Sequence, residues 1–135
     1  ADRLNIDKTP NRYERYAIPL IVSGVGIDKN SLPERAAGSH INITATLMEL
    51  IAPKGFEYYA LGESLTRGNV IGINYGFWIT PDDIGITEIG PKPYRFNVNA
   101  QEEPDMKKIN ETVEMIRSIS WWRSKYGNQL VEKKG

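Results

Sequence analysis

Between residues 71 and 79 the chain alternates Ile71, Ile73, Tyr75, Phe77 and Ile79 with Gly72, Asn74, Gly76 and Trp78. A period of two is the mark of a half-buried β-strand, because successive strand side chains point to opposite faces. Thr80-Pro81-Asp82-Asp83 reads as a turn, and Ile84-Gly85-Ile86-Thr87-Glu88 is expected to pair back as a hairpin. Tyr94, Phe96 and Val98, alternating with Arg95 and Asn97, predict a third strand. Short consecutive strands joined by tight turns argue for an antiparallel sheet.

A covering element follows. Pro104 suits a helix's first turn, and Asp105 is favourable near the positive helix end. Met106, Ile109, Val113 and Ile116 keep one face, continued by Ile119 or Ser120 and by a tryptophan. Lys125 and Gly127 mark the stop. A helix of roughly 20 residues is therefore predicted to cover one face of the sheet. The polar tail from Asn128 is expected to fray.

The first part of the chain has a different grammar. Residues 1–16 are polar, with Thr9-Pro10-Asn11 as a turn, and are expected to form a loop. Ala17-Ile18-Pro19-Leu20-Ile21-Val22-Ser23 is a short apolar run that predicts a strand buried on both faces, with Pro19 at its start or edge. Residues 24–38 read as loop, with a turn at Asn30-Ser31-Leu32-Pro33. A helix is predicted from about Thr44 to Ala52 on a stripe of Ile41, Ala45, Met48 and Ile51, with Thr44 as cap or Thr46 and Glu49 as a capping box. Pro53-Lys54-Gly55 stops it.

The expected fold class is α/β, or α+β for the piece taken alone. Residues 1–55 read as the terminal strand-helix piece of an α/β sheet. Residues 56–135 read as a small antiparallel β subdomain with a long helix. A lone strand-helix unit cannot bury both faces of its strand, which points to a missing partner.

Composition bounds the chemistry. The 135 residues carry 17 basic and 17 acidic side chains, so charge gives no reason to expect nucleic acid. There is no cysteine, which excludes disulfides and thiolate metal sites. His40 is the single histidine. One histidine among scattered carboxylates assembles neither an acid–base pair nor a metal-ligand set. The chain also begins without a methionine. It is thus expected to be the C-terminal part of a larger enzyme whose catalytic residues lie upstream of residue 1.

Four segments carry a resemblance: Ile18-Pro19-Leu20-Ile21-Val22; Gly38-Ser39-His40-Ile41-Asn42-Ile43-Thr44-Ala45-Thr46-Leu47; Tyr59-Ala60-Leu61-Gly62-Glu63-Ser64-Leu65; and Tyr75-Gly76-Phe77-Trp78-Ile79-Thr80. Together they resemble the C-terminal stretch of sulfatase-like enzymes of the alkaline phosphatase superfamily, closest to phosphoglycerol transferases of the lipoteichoic acid synthase type. The likeness covers about residues 15–85, and the remainder matches in element order alone. Asn42 stands at the family's usual Asp position and Ala45 at its usual Pro position. That Asp caps or braces the following helix, and Asn can still do so.

The resemblance implies a full-length protein that is extracytoplasmic and membrane-anchored through an N-terminal region. It would use a divalent metal, manganese or calcium, and a Thr, Ser or modified-residue nucleophile, on a lipid- or glycan-linked phospho- or sulfo-ester. The family's last metal motif is Gly-Asp-His, and Ala1-Asp2-Arg3-Leu4 would fit the residues just after it. The implied partner is then the N-terminal catalytic portion of the same chain. No catalytic residue and no metal ligand carry over onto this sequence, and the piece alone is expected to be inactive.

Two residues are candidates for a place near substrate. His40 follows the loop after the predicted strand, where α/β sites collect, although local packing or capping is the favoured role for it. Arg3 could meet a phosphate or sulfate near the missing site, although a disordered terminus is the favoured expectation for it. Trp121 and Trp122 could serve a lipid or glycan, but helical spacing favours core packing for at least one. Tyr58 and Tyr59 could line a rim. Gly24-Val25-Gly26 reads as a turn, and Lys133-Lys134 as solvated tail. The rival to an enzyme piece is a non-enzymatic α+β interaction module that binds a partner or glycan through its aromatic strand.

Overall fold

The computed structural model describes residues 16, 18–68, 70–88 and 92–127. Arg3, the Thr9–Asn11 turn, Ala17, and the tail with Lys133 and Lys134 lie outside the described residues. The elements in chain order are α1 (His40–Ile51), a single 3₁₀ turn (Leu65–Arg67), β1 (Gly72–Ile73), β2 (Phe77–Ile79), β3 (Asp83–Ile86), β4 (Tyr94–Arg95) and α2 (Met106–Tyr126). The strands form one antiparallel sheet in the order β1-β2-β3-β4. The arrangement is α+β: a four-stranded antiparallel sheet with two helices, one of them C-terminal.

The predicted strand at 71–79 is in fact two strands and a turn. Asn74 accepts the backbone N–H groups of Gly76 and Phe77 on its side-chain oxygen, at 3.0 and 2.7 Å. The Asn74 N–H donates to the Phe77 carbonyl at 2.9 Å. Tyr75 and Gly76 thus become a two-residue hairpin loop. Such a loop pairs an odd position with an even one, so Ile73 faces Trp78 and the inward phase switches partway along the alternation. That switch is how Trp78, assigned by the alternation to the outward set, becomes 1% exposed.

α2 follows its sequence signals closely. Asp105 caps it, accepting the Lys108 N–H at 3.0 Å, and Gly127 ends it. Ile109, Val113 and Ile116 pack with Ile73 and Trp78 to form the core, with Ile41, Leu61 and Ile71 against its edge. Full burial of side chains of this size contributes about 1.5–3 kcal/mol each. The Trp78 indole lies across Gly85 of β3, where an added Cβ would sit 2.5 Å from the ring. Only glycine admits the tryptophan there.

α1 starts a turn earlier than its apolar stripe implies, because its cap is Ser39 rather than Thr44. Its buried face is Asn42, Ala45 and Thr46, whereas Ile51 is 69% exposed. Hydrogen bonds decide this. Asn42 accepts the Ser39 N–H at 2.8 Å and donates to the Glu63 carbonyl at 3.0 Å. Thr46 donates to the Asn42 carbonyl at 2.7 Å and accepts the Leu65 N–H at 2.9 Å. Two polar residues pin the 63–65 segment to the helix, and among the described residues no buried side-chain polar atom lacks a partner. Glu49, expected in a capping box, instead accepts from Thr66 and Arg67.

The strand expected at 17–23 does not form over 18–23. A strand needs a neighbour to take its ladder of N–H and C=O groups, and no described strand runs beside this segment. Ile18 and Ile21 are 76% and 85% exposed. Residues 24–38 are irregular as expected, and Gly24 to Ile27 is a turn with Gly26 at φ 82°. The next turn spans Asp28 to Ser31, two residues before the expected position, because Asp28 accepts the Asn30 N–H at 2.7 Å.

Candidate functional site

The register sorts the strand residues onto two faces. Ile73, Trp78 and Gly85, with Asp83 and Arg95, face α2; Gly72, Phe77, Ile79, Ile84, Ile86 and Tyr94 face the other way. The second face is as apolar as the first. It is roofed by chain without regular structure from the 16–39 region, which leaves a cleft of about 380 Å³. Its floor is Phe77, Ile79 and Ile84, its walls are Ile18, Leu20, Leu32 and Leu65, and His40 stands at the rim. Tyr16 tilts against Phe77 with ring centroids 4.6 Å apart.

Two close approaches set the shape of this cleft. Gly72 lets β1 press on the backbone of Gly38 and Ser39, where a Cβ would sit 2.4–2.6 Å from main-chain atoms. The Ser39 hydroxyl donates to the Ile73 carbonyl, joining the start of α1 to β1. His40 is the first residue of α1 and is exposed. Among the described residues, no acidic side chain lines the cleft beside it. The cleft can hold an apolar or aromatic group and offers one imidazole; these residues form no acid–base pair.

Charged groups collect elsewhere, and they build structure. Arg95 grips Asp83 from the adjacent strand with Nε–Oδ1 at 2.9 Å and Nη2–Oδ2 at 3.4 Å. It also donates to the carbonyls of Ala100 and Glu102 at 3.2 and 2.8 Å, which folds the 96–103 loop onto the sheet. The Asp83 hydrogen bond holds the Arg95 guanidinium above its ordinary pKa, outweighing the opposing effect of burial. Asp82 takes hydrogen bonds from Asn97 and Arg35, and in that order they hold its carboxyl below the usual carboxylate range. Among the described residues no group of three or more His, Cys, Asp or Glu side chains could hold a metal ion.

Of the two sequence candidates, the structure places His40 at the cleft rim, and Arg3 is outside the described residues. Tyr58 donates to the Ala45 carbonyl at 3.4 Å, while Tyr59 is 99% exposed. The expectation that a tryptophan of α2 reaches the core is wrong: Trp121 and Trp122 are 59% and 37% exposed. The core-facing stripe ends at Ile116 and its next position is Ser120, which is exposed. Sequence reading missed the apolar second face. Its signal was present in Ile84 and Ile86, which the β2–β3 register pairs with Ile79 and Phe77, while the phase switch at Tyr75-Gly76 turns that set away from Ile73.

The chain matches no protein-family model, no curated protein and no solved structure. No helix among the described residues is long and apolar enough to cross a membrane.

Proposed function

We propose that this chain is the non-catalytic C-terminal part of a metal-dependent phosphoglycerol transferase or sulfatase, seated against the catalytic portion of the same protein. The observation that carries the reading is the 18–22 segment. Its motif is one of those that resemble the sulfatase-like family, and it lies outside the described sheet with Ile18 and Ile21 exposed. An exposed apolar run beside no strand is what a strand looks like when its neighbours belong to another part of the protein. On this reading the manganese or calcium ion, its ligands and the nucleophile come from outside these 135 residues. The substrate is a lipid- or glycan-linked phospho- or sulfo-ester, met outside the cytoplasm by a membrane-anchored protein. The cleft and His40 then help shape the approach to the site.

The test has two arms. The codons preceding Ala1 should encode Gly-Asp-His a few residues upstream. The purified chain, given manganese or calcium with a phosphodiester or an aryl sulfate, should show no turnover. Turnover by the chain alone would overturn the reading. A second reading, a non-enzymatic interaction module for a partner or glycan, is favoured by Tyr75, which is 102% exposed at the hairpin tip. It would stand if no such motif precedes the chain and a Tyr75→Ala variant loses binding to that partner or glycan.

A further inference from the structure

α2 outruns the sheet that it covers. Its last buried residue is Ile116, and every residue of 117–127 is exposed. At 1.5 Å per residue this overhang is roughly 15 Å long. Its surface is not an ordinary polar one. Met115, Ile119, Trp122 and Tyr126 recur at i, i+4, i+7 and i+11, so they share one face, roughly a third of a turn from the Ile109–Val113–Ile116 face. They are 52%, 45%, 37% and 38% exposed. The Trp122 and Tyr126 rings lie 5.2 Å apart, and the Lys125 ammonium sits 4.7 Å from the Trp121 ring and 5.5 Å from that of Tyr126.

Charge selects what covers this stripe. The whole chain is balanced, but residues 115–127 carry Arg117, Arg123 and Lys125 and no acid. Arg117 is engaged by Glu114 and Thr87, so Arg123 and Lys125 are the cations that flank the aromatic end. We propose that this end of α2 is a peripheral membrane anchor that lies on an anionic lipid surface. Tryptophan and tyrosine settle at headgroup level, Lys and Arg reach lipid phosphates from flexible stems, and the aliphatic positions enter the acyl boundary. A second copy packed about a two-fold axis would set the same cations against each other. The helix is too polar to cross the bilayer, so the contact is interfacial. This inference stands independently of the proposed function.

The test is flotation of the intact chain with vesicles of phosphatidylcholine alone or of equal parts phosphatidylcholine and phosphatidylglycerol. Binding is expected with phosphatidylglycerol and should weaken as salt is added. Tryptophan emission should shift to the blue, and the change reports on Trp121 and Trp122 because Trp78 is 1% exposed. The Ile119→Ser/Trp122→Ser variant should partition roughly tenfold less or weaker still. Arg123→Glu/Lys125→Glu should lose the preference for phosphatidylglycerol, with the circular dichroism and melting temperature of both variants unchanged. Absence of binding to both vesicle types would overturn the proposal, as would undiminished binding by the first variant. A concentration-dependent dimer that the first variant abolishes, without vesicle binding, would overturn it too and assign the stripe to a second copy instead.

Discussion

Asn42 is wholly buried, and both ends of its amide are used: the oxygen accepts from Ser39 and the nitrogen donates to the Glu63 carbonyl. The resemblance places an Asp at this position, so the residue tests whether this fold would accept one. An ionised carboxylate there would turn a lone pair toward the Glu63 carbonyl, where the amide now donates. Asn42→Asp should cost about 2–3 kcal/mol near neutral pH. Burial would raise the folded-state pKa of the new carboxyl above its unfolded value. The penalty is therefore complete above the folded pKa and disappears below the unfolded one, where the protonated acid can donate to Glu63 as the amide does. Urea denaturation of both proteins across the acid range, read as the difference between them, checks this. A gap that does not close in acid would refute the assignment.

At the scale of elements, α1 is fastened to the 3₁₀ turn by a carboxylate. Thr66 donates to Glu49, and this bond, with smaller help from Ser64 and Arg67, holds the Glu49 carboxyl below its ordinary value of 4.5 against some desolvation. A depressed acid contributes stability above its unfolded pKa and loses it as pH falls through the folded one. Stability should therefore decline as the pH drops below about 4.5. Glu49→Gln should be less stable at neutral pH and show a shallower acid decline, followed by thermal melts against pH. The decline should not vanish, since Asp82 is also depressed. Such fastenings explain what the sequence could and could not reveal. α2 was legible at both ends because an acidic residue at its start, a stripe and a stopping glycine agree, although Asp105 proves to be the cap and Pro104 precedes it. The β2–β3 hairpin was legible from Thr80-Pro81-Asp82-Asp83. α1 was misplaced because its buried face is held by Asn42 and Thr46 through hydrogen bonds, which apolar periodicity does not register. The Tyr75-Gly76 turn was hidden because its signal, an Asn followed by Gly two positions on, sits inside an unbroken alternation. The cleft inherits both misreadings, since its floor depends on the phase switch and its rim on where α1 begins.

Over the whole molecule, the sheet carries apolar side chains on both faces; α2 covers one, whereas on the other the lining includes only His40 and Ile43 of α1. The other depends on the irregular 16–39 region, whose own apolar side chains remain outside: Val25 is 108% exposed in addition to Ile18 and Ile21. The intact chain should bind a hydrophobic dye or self-associate. Ile21→Asp/Val25→Asp should reduce this, with the exposed stripe of α2 supplying the remainder, while leaving the melting temperature unchanged, as measured by dye fluorescence, light scattering and calorimetry. The sheet itself is a meander in which each strand pairs with its sequence neighbour. That order carries a timetable. Contacts between neighbours close short loops and should form early, whereas the bond from Arg35 to Asp82, which joins residues 47 apart, should form late, as should the contact of Tyr16 with Phe77. Arg35→Ala should therefore leave the refolding rate nearly unchanged and quicken unfolding, visible as a shift of one limb in stopped-flow denaturant kinetics. The roof of the cleft would then be the part of the protein that opens first and closes last, while the strands beneath it stay paired.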